Sequence, residues 1–344
     1  GRADRSPPSN TPLHNIEGGW LFAGSIVDLL PGTDYEVKLV LKDPDGGGTE
    51  KELSLRTRGE PKTPDSMRKR YVVPVGSGEP GGTGTQSDPF RGLQFAADTA
   101  KAGDLFLLRK GTYVNGTLSI KKSGKPGQPI IFRAAGDGEV ILNGGENSSV
   151  GGRLVSASCT SYIWFEDITF QNRNYLVAAH KSSNWVIRRC RFINFKRTAV
   201  VAHNGGYHVS RHHLVSDNFF QGHGVWPRRG IRGGYGTNIT GAGHSICYNH
   251  FEHVGDSIHA SGYGHLYASD YHNNEAFICE DDGYETDHGM LNLRVFDNRV
   301  VNCWAGVTAQ PVHGGPVYIF RNAIYNCQYS PFKLHNVTNG ILLF

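Results

Sequence analysis

One short apolar pattern recurs along the second half of the chain: SYIWFEDITF, NWVIRRCRF, HLVSDNFF, HSICYNHF, LRVFDNRV and PVYIFRNAI. The last apolar residue of each unit, with Ala276 from an intervening YHNNEA unit, serves as an anchor: Phe170, Phe192, Phe220, Phe251, Ala276, Val300 and Ile324. The anchors are spaced by 22, 28, 31, 25, 24 and 24 residues. Periods of this size mean stacked repeats, because no unit can bury its own apolar side chains without a neighbour. Each unit alternates apolar and polar residues and none has helical spacing. A right-handed parallel β-helix is therefore predicted, each turn lying ~4.8 Å above the last.

Two columns of identical residues support this register. Two positions before the anchors stand Asn218, Asn249, Asn274, Asn298 and Asn322. Asparagine tolerates a left-handed bend, and its amide can bond the copy above. Three positions after the anchors stand Val254, Cys279, Cys303 and Cys327, a column of small groups that reads as core. Cys159, Cys190 and Cys247 are scattered without a CxxC spacing. Neither a zinc ribbon nor a disulfide framework is expected.

Upstream the organisation differs. Residues 1–15 are polar and proline-bearing, an expected unstructured arm, and 59–70 form a linker. Between them, 16–58 contain strands and a DPDGGG turn, and LLPGTDYEVKLVL resembles the later strands of a fibronectin type III sandwich. A partial β-sandwich is expected there. The β-helix then spans 71–344. DPFRGLQFAADTA predicts a capping helix at its start, with Asp88 as N-cap and Phe90, Leu93, Ala97 and Ala100 on one face. The chain opens at Gly1 and stops within ILLF, so it reads as a piece of a longer protein. High glycine (45 residues) and low methionine (2) suit an all-β chain. The formal charge of +4 permits an acidic substrate. No basic run interleaved with aromatics points to nucleic acid, and no apolar run reaches the ~18 residues of a membrane span. A monomer is expected.

The stretch CEDDGYETDHG concentrates carboxylates that repel one another unless something positive faces them. Aligning the second strand of each turn gives TAVVAH, DSIHAS, DGYETD, AGVTAQ and SPFKLH. One outward column then reads Val201, His259, Glu285, Thr308, Lys333, and the next reads His203, Ser261, Asp287, Gln310, His335. Asp256 lies in register with Asp282, beside Asp281. The irregular segment HGVWPRRGIRGGYG can lean Arg228, Arg229 or Arg232 over the same face. Such a face suits an extended polymer, with His203, Arg228, Arg229 and Gln310 as substrate contacts. Tyr207, Trp226 and Tyr235 are candidates for stacking on sugars.

Two chemistries fit. One is β-elimination on a uronate polysaccharide. There Asp256, Asp281, Asp282 and Glu285 would supply oxygens to calcium, and Lys333, as a neutral amine, would take the proton. The other is glycoside hydrolysis by Glu285 and Asp287, with His259 and His335 tuning which carboxyl keeps its proton. A non-catalytic glycan-binding or adhesin-like surface protein is the third reading, and a solvated acidic turn would account for the cluster without any chemistry.

DDGYE (281–285) resembles the Asp-Asp-Gly-Trp-Asp calcium motif of the family 9 pectate lyases, and Asp256 matches their further calcium-binding aspartate. FKLH (332–335) is similar to their Phe-Lys-Leu-Gly, whose lysine is the catalytic base. The resemblance implies a β-helix, a calcium cofactor, Lys333 as base, and a secreted, cell-surface or periplasmic location. It departs in Glu285, one methylene longer than aspartate, and in the extra rung WAGVTAQPVHGG ahead of FKLH.

Overall fold

The computed structural model describes residues 2–4, 21–23, 25–76, 78–114, 116–145, 152–203, 210–231, 233–260, 266–312, 315–334 and 341–343. Two compact units emerge, 24–65 and the remainder. The smaller is a single antiparallel ribbon, Asp34–Lys42 against Gly48–Arg56, in continuous register from Asp34↔Arg56 to Lys42↔Gly48. Its turn is the expected DPDGGG segment, with Gly46 and Gly47 at φ 105° and 110°. Leu39, Val40, Leu41, Leu53 and Leu55 are exposed along it. In the stretch expected to be an unstructured arm, Arg2–Asp4 pairs with Leu21–Ala23.

The larger unit is a right-handed parallel β-helix. A 12-stranded sheet, a 14-stranded sheet and a three-stranded sheet form its faces among the described residues. All seven anchors stand in one column: Phe170↔Phe192, Phe192↔Phe220, Phe220↔Phe251, Phe251↔Ala276, Ala276↔Val300 and Val300↔Ile324 are direct partners. Inside the coil the four phenylalanines stack at 5.1, 4.8 and 4.5 Å. Each such pair contributes about 0.5–1.5 kcal/mol beyond the area it buries. Where the column narrows to Ala276, the same strand turns Tyr284 fully into the core.

The asparagine column is a continuous hydrogen-bond ladder. Asn218, Asn249, Asn274 and Asn298 each donate from Nδ2 to the Oδ1 of the next, at 2.9–3.0 Å. Each also donates to a carbonyl of the turn before and accepts a backbone N–H from it. The left-handed bend falls one residue earlier than predicted, at Asp217, Tyr248, Asn273, Asp297 and Arg321 (φ 53–58°). The ladder asparagines are therefore selected for amide bonding, and the bend accepts several residue types.

Two expectations about the capping helix, Asp88 as its N-cap and Phe90 on its face, are corrected. The helix spans Leu93–Thr99 and buries Leu93, Ala96 and Ala97, but its N-cap is Gly92 at φ 95° and no side chain caps it. Asp88 instead accepts the Thr83 N–H at 3.0 Å, bracing the preceding turn, while Phe90 pairs with Val72 in a strand. The six cysteines are free thiols, with Cys279 and Cys303 fully buried in the core column. No helix among the described residues is long and apolar enough to cross a membrane.

Replacing Asn249 with Ala removes the four hydrogen bonds of its carboxamide and strands the partners that used them. Unpaired buried polar groups cost about 1–3 kcal/mol each. We expect Asn249→Ala to lower stability by about 3 kcal/mol or more, read as a fall in urea midpoint at unchanged m-value.

Candidate functional site

The second strands of successive turns belong to the 14-stranded sheet, and alternation turns every other side chain outward. Register pairs Val201 with Asn238 and Asn238 with His259. Ile258↔Tyr284 brings His259 beside Glu285, and Glu285, Thr308 and Lys333 are successive partners. The outward column therefore contains Asn238, a position the sequence alignment skipped. Its strand, Tyr235–Ile239, follows an excursion at 222–234 that disguises the repeat.

That excursion lies flush on the neighbouring turn because its glycines allow it. A Cβ on Gly224 or Gly233 would stand 2.6 or 2.5 Å from the backbone of Val254 or Gly255. The buried Glu280 fastens it, accepting the N–H groups of Val225 (3.1 Å) and Gly233 (2.5 Å). The His253 ring donates to the Gly224 carbonyl at 2.9 Å. One member of the acidic stretch thus holds a loop, a role with no sequence signature.

At the centre, one oxygen each from Asp256, Asp281 and Asp282 lie within 4.8 Å of one another. Asp256 accepts the Asp282 N–H at 2.9 Å and the His259 Nδ1–H at 2.8 Å. Asp281 accepts from Arg228 at 3.1 Å, and Asp282 Oδ2 from the Lys333 ammonium at 2.6 Å. Lys333 stands two rungs from Glu285 but its side chain reaches diagonally back to the cluster. Asp282 is 2% exposed, and its Oδ1 is buried without a hydrogen-bond partner. Three convergent carboxylates with an unsatisfied buried oxygen fit a hard divalent cation. Glu285, expected as a fourth ligand, does not join them. Its Oε2 is engaged by His259 at 2.5 Å and by the Ala260 N–H at 2.8 Å.

Burial and the neighbouring acids raise Asp282 to about 7 and push Asp281 upward. Burial also raises Glu285 well above the carboxylate range and raises Asp287, which is hydrogen-bonded to Glu285. Burial pulls His259 down, but its bonds to Asp256 and Glu285 outweigh it and set its pKa at about 10. The imidazolium lies flat on Tyr235, 4.0 Å between ring centres. For Lys333 burial again acts downward, and pairing with Asp282 prevails and raises it. The neutral amine required of a base is thus reached only once that pair is broken.

The remaining candidates divide. Arg228 is brought to the cluster, and Arg229 beside it is exposed. The Gln310 N–H donates to Asp287 at 2.8 Å. His203 bonds Asn238 at 3.0 Å, and its ring lies 5.4 Å from that of His180. Burial lowers both imidazoles, His180 to about 4, so they are neutral near pH 7. His335, Tyr207, Arg232 and Ser261 lie outside the described residues. Sequence reasoning missed His180, Asn238, Glu280 and the Trp304–Tyr329 stack beneath Arg228. Only Asn238 had a usable signal, the alternation of GTNIT.

Residues 90–195 match a family model described as chondroitinase B. Over 155 residues the chain is 29% identical to pectate lyase L of Dickeya chrysanthemi, covering 41% of this chain and 35% of that one. Pectate lyase Pel9A superposes with TM-score 0.53 at 16% identity, over 80% of this chain and 79% of its own. XylC, solved with xylose, gives TM-score 0.61 at 13% identity, over 80% and 68%. The chain is thus similar to pectate-lyase-like β-helix proteins, and at these identities the structural likeness shows the fold alone. It spans 15% and 35% of the length of the curated relatives it matches. The family match ends before the acidic site begins.

Two outcomes are expected. Because the folded His259 holds its proton to about 10 against an ordinary 6.5, its ion pairs are complete below pH 6.5 and lost towards pH 10. The stability gap between the wild type and His259→Gln, measured by denaturation, should be widest below pH 6.5 and close on the alkaline side. Glu280→Ala should speed proteolytic cutting within 224–233 by about tenfold or more, corresponding to about 1.4 kcal/mol of lost local closure.

Proposed function

We propose that this chain is the β-helix part of a carbohydrate-active enzyme that cleaves an acidic polysaccharide by cation-assisted β-elimination. The observation that carries the reading is the contact between Lys333 and Asp282. It puts a half-buried amine against a three-carboxylate cluster whose Asp282 Oδ1 has no partner. The likeness to pectate lyase L and to a chondroitinase family model supports a uronate-containing substrate.

In this reading Asp256, Asp281 and Asp282 would hold a calcium ion, which would neutralise the substrate carboxylate and acidify the adjacent C–H. Lys333 is the residue placed to take that proton, as a neutral amine once its pair with Asp282 parts. His259 stays charged between Asp256 and Glu285 and fixes the orientation of Asp256. The buried Glu285–Asp287 pair braces the neighbouring turn through the Thr308 hydroxyl and the Gln310 N–H. Glu285 is tied to His259 and the Ala260 N–H, and Asp287 to the Thr308 hydroxyl and the Gln310 N–H, so neither carboxyl is free to flank a glycosidic bond. This favours elimination over hydrolysis. The similarity to pectate lyases also favours an extracellular location.

The test is a panel of acidic and neutral polysaccharides, with calcium or chelator, monitored in parallel for unsaturated product and for reducing ends. We expect ultraviolet absorbance from the new double bond, its loss with chelator, and a fall of at least about 100-fold in Lys333→Ala. Reducing ends without the absorbance, abolished by Glu285→Gln, would establish the hydrolase instead. Binding without turnover would leave a glycan-binding protein.

A further inference from the structure

Each carboxylate of the central triad has its own cation, and the three cations come from different segments. Asp256 faces His259 at 2.8 Å, Asp282 faces Lys333 at 2.6 Å, and Asp281 faces Arg228 at 3.1 Å. His259 and Lys333 project from strands of the coil. Arg228 comes from the 222–234 excursion and is held from two further sides. Its guanidinium lies 4.3 Å over the Trp304 ring, which stacks on Tyr329 at 5.2 Å, and the Arg228 backbone N–H donates to Gln328 Oε1 at 2.9 Å.

Two of these pairs differ in exposure. The Lys333 and Asp282 side chains are 14% and 3% exposed, whereas those of Arg228 and Asp281 are 23% and 24% exposed. The Arg228–Asp281 pair is the more solvated of the two and needs less desolvation energy returned when it parts. It can part without abandoning Arg228, because the Trp304 face still receives the guanidinium. The buried, unpartnered Asp282 Oδ1 independently points to a ligand that the protein cations do not replace.

We propose that Arg228 is an exchangeable counter-ion. It neutralises Asp281 while the triad is free of metal and competes with a divalent cation for that carboxylate. When displaced, it stays over Trp304 beside the triad. This rests on the reading of the triad as a cation site. A divalent ion entering the cluster must replace the attraction Asp281 already enjoys, so Arg228 lowers cation affinity while keeping the acids folded together in its absence.

Calcium titration by calorimetry tests this on the wild type, Arg228→Met, Arg228→Gln and Arg321→Met. Arg321 serves as control because it makes the same two kinds of contact, with Asp297 and Phe320, on another turn. Arg228→Met should bind calcium about tenfold or more tightly. Arg228→Gln, which keeps a polar side chain without the charge, should move affinity the same way, and it covers the case in which Arg228→Met does not fold. Arg321→Met should match the wild type. Unchanged or weaker binding in Arg228→Met, or in Arg228→Gln should Arg228→Met not fold, beside a wild type that does bind calcium, overturns the counter-ion role alone. A wild type that binds no calcium removes the cation site itself, and this inference with it.

Discussion

Register between successive turns is the constraint on which everything else depends. Parallel strands slip easily when one turn resembles the next, and a slip of one residue would exchange the inner and outer faces. Here the stacked phenylalanines and the asparagine ladder oppose slippage in different ways. The rings set which residues are inside through shape and burial. The asparagines set the height of each turn, because a carboxamide that both donates and accepts along the axis is satisfied only when its copies superimpose. Once both hold, the position of any outward side chain on one turn determines its neighbour on the next.

That rigidity is what allows five carboxyls to crowd into one region. Asp256, Asp281, Asp282, Glu285 and Asp287 would separate in a flexible segment, since like charges this close repel one another. The coil holds them on adjacent rungs and supplies His259, Lys333 and Arg228 in return. The free energy for this opposed arrangement comes from the remainder of the core, whose buried apolar side chains extend from Val72 to Ile319. Local strain at a functional site is tolerable when it is a small fraction of a large cooperative fold.

The columns were legible in the sequence because alternation and repeat length are both local arithmetic. Glu285, Thr308 and Lys333 could be aligned without knowing any coordinate. What lay beyond reading were interactions that leave the lattice. Lys333 reaches Asp282 along a diagonal that depends on side-chain length and rotamer. Glu280 is spent on two amides of a loop whose path no periodicity describes. Asn238 was hidden because the 222–234 excursion breaks the count just before it. The left-handed bends escaped as well, since Asp, Tyr, Asn and Arg all occupy them and composition carries no signal there.

The excursion that interrupted the repeat is also what brings Arg228 over the acids, so the irregular segment is where the site departs from the generic surface of a coil. A regular rung can offer only residues at fixed heights and fixed spacing. A loop fastened at both ends, by Glu280 and His253, can place a guanidinium between an aromatic face and a carboxylate. Repeat architecture thus supplies the precise row of acids. The excursion supplies a cation from outside the strands, and the contrast between a more buried Lys333 pair and a more exposed Arg228 pair makes two positive charges in the same cluster unequal.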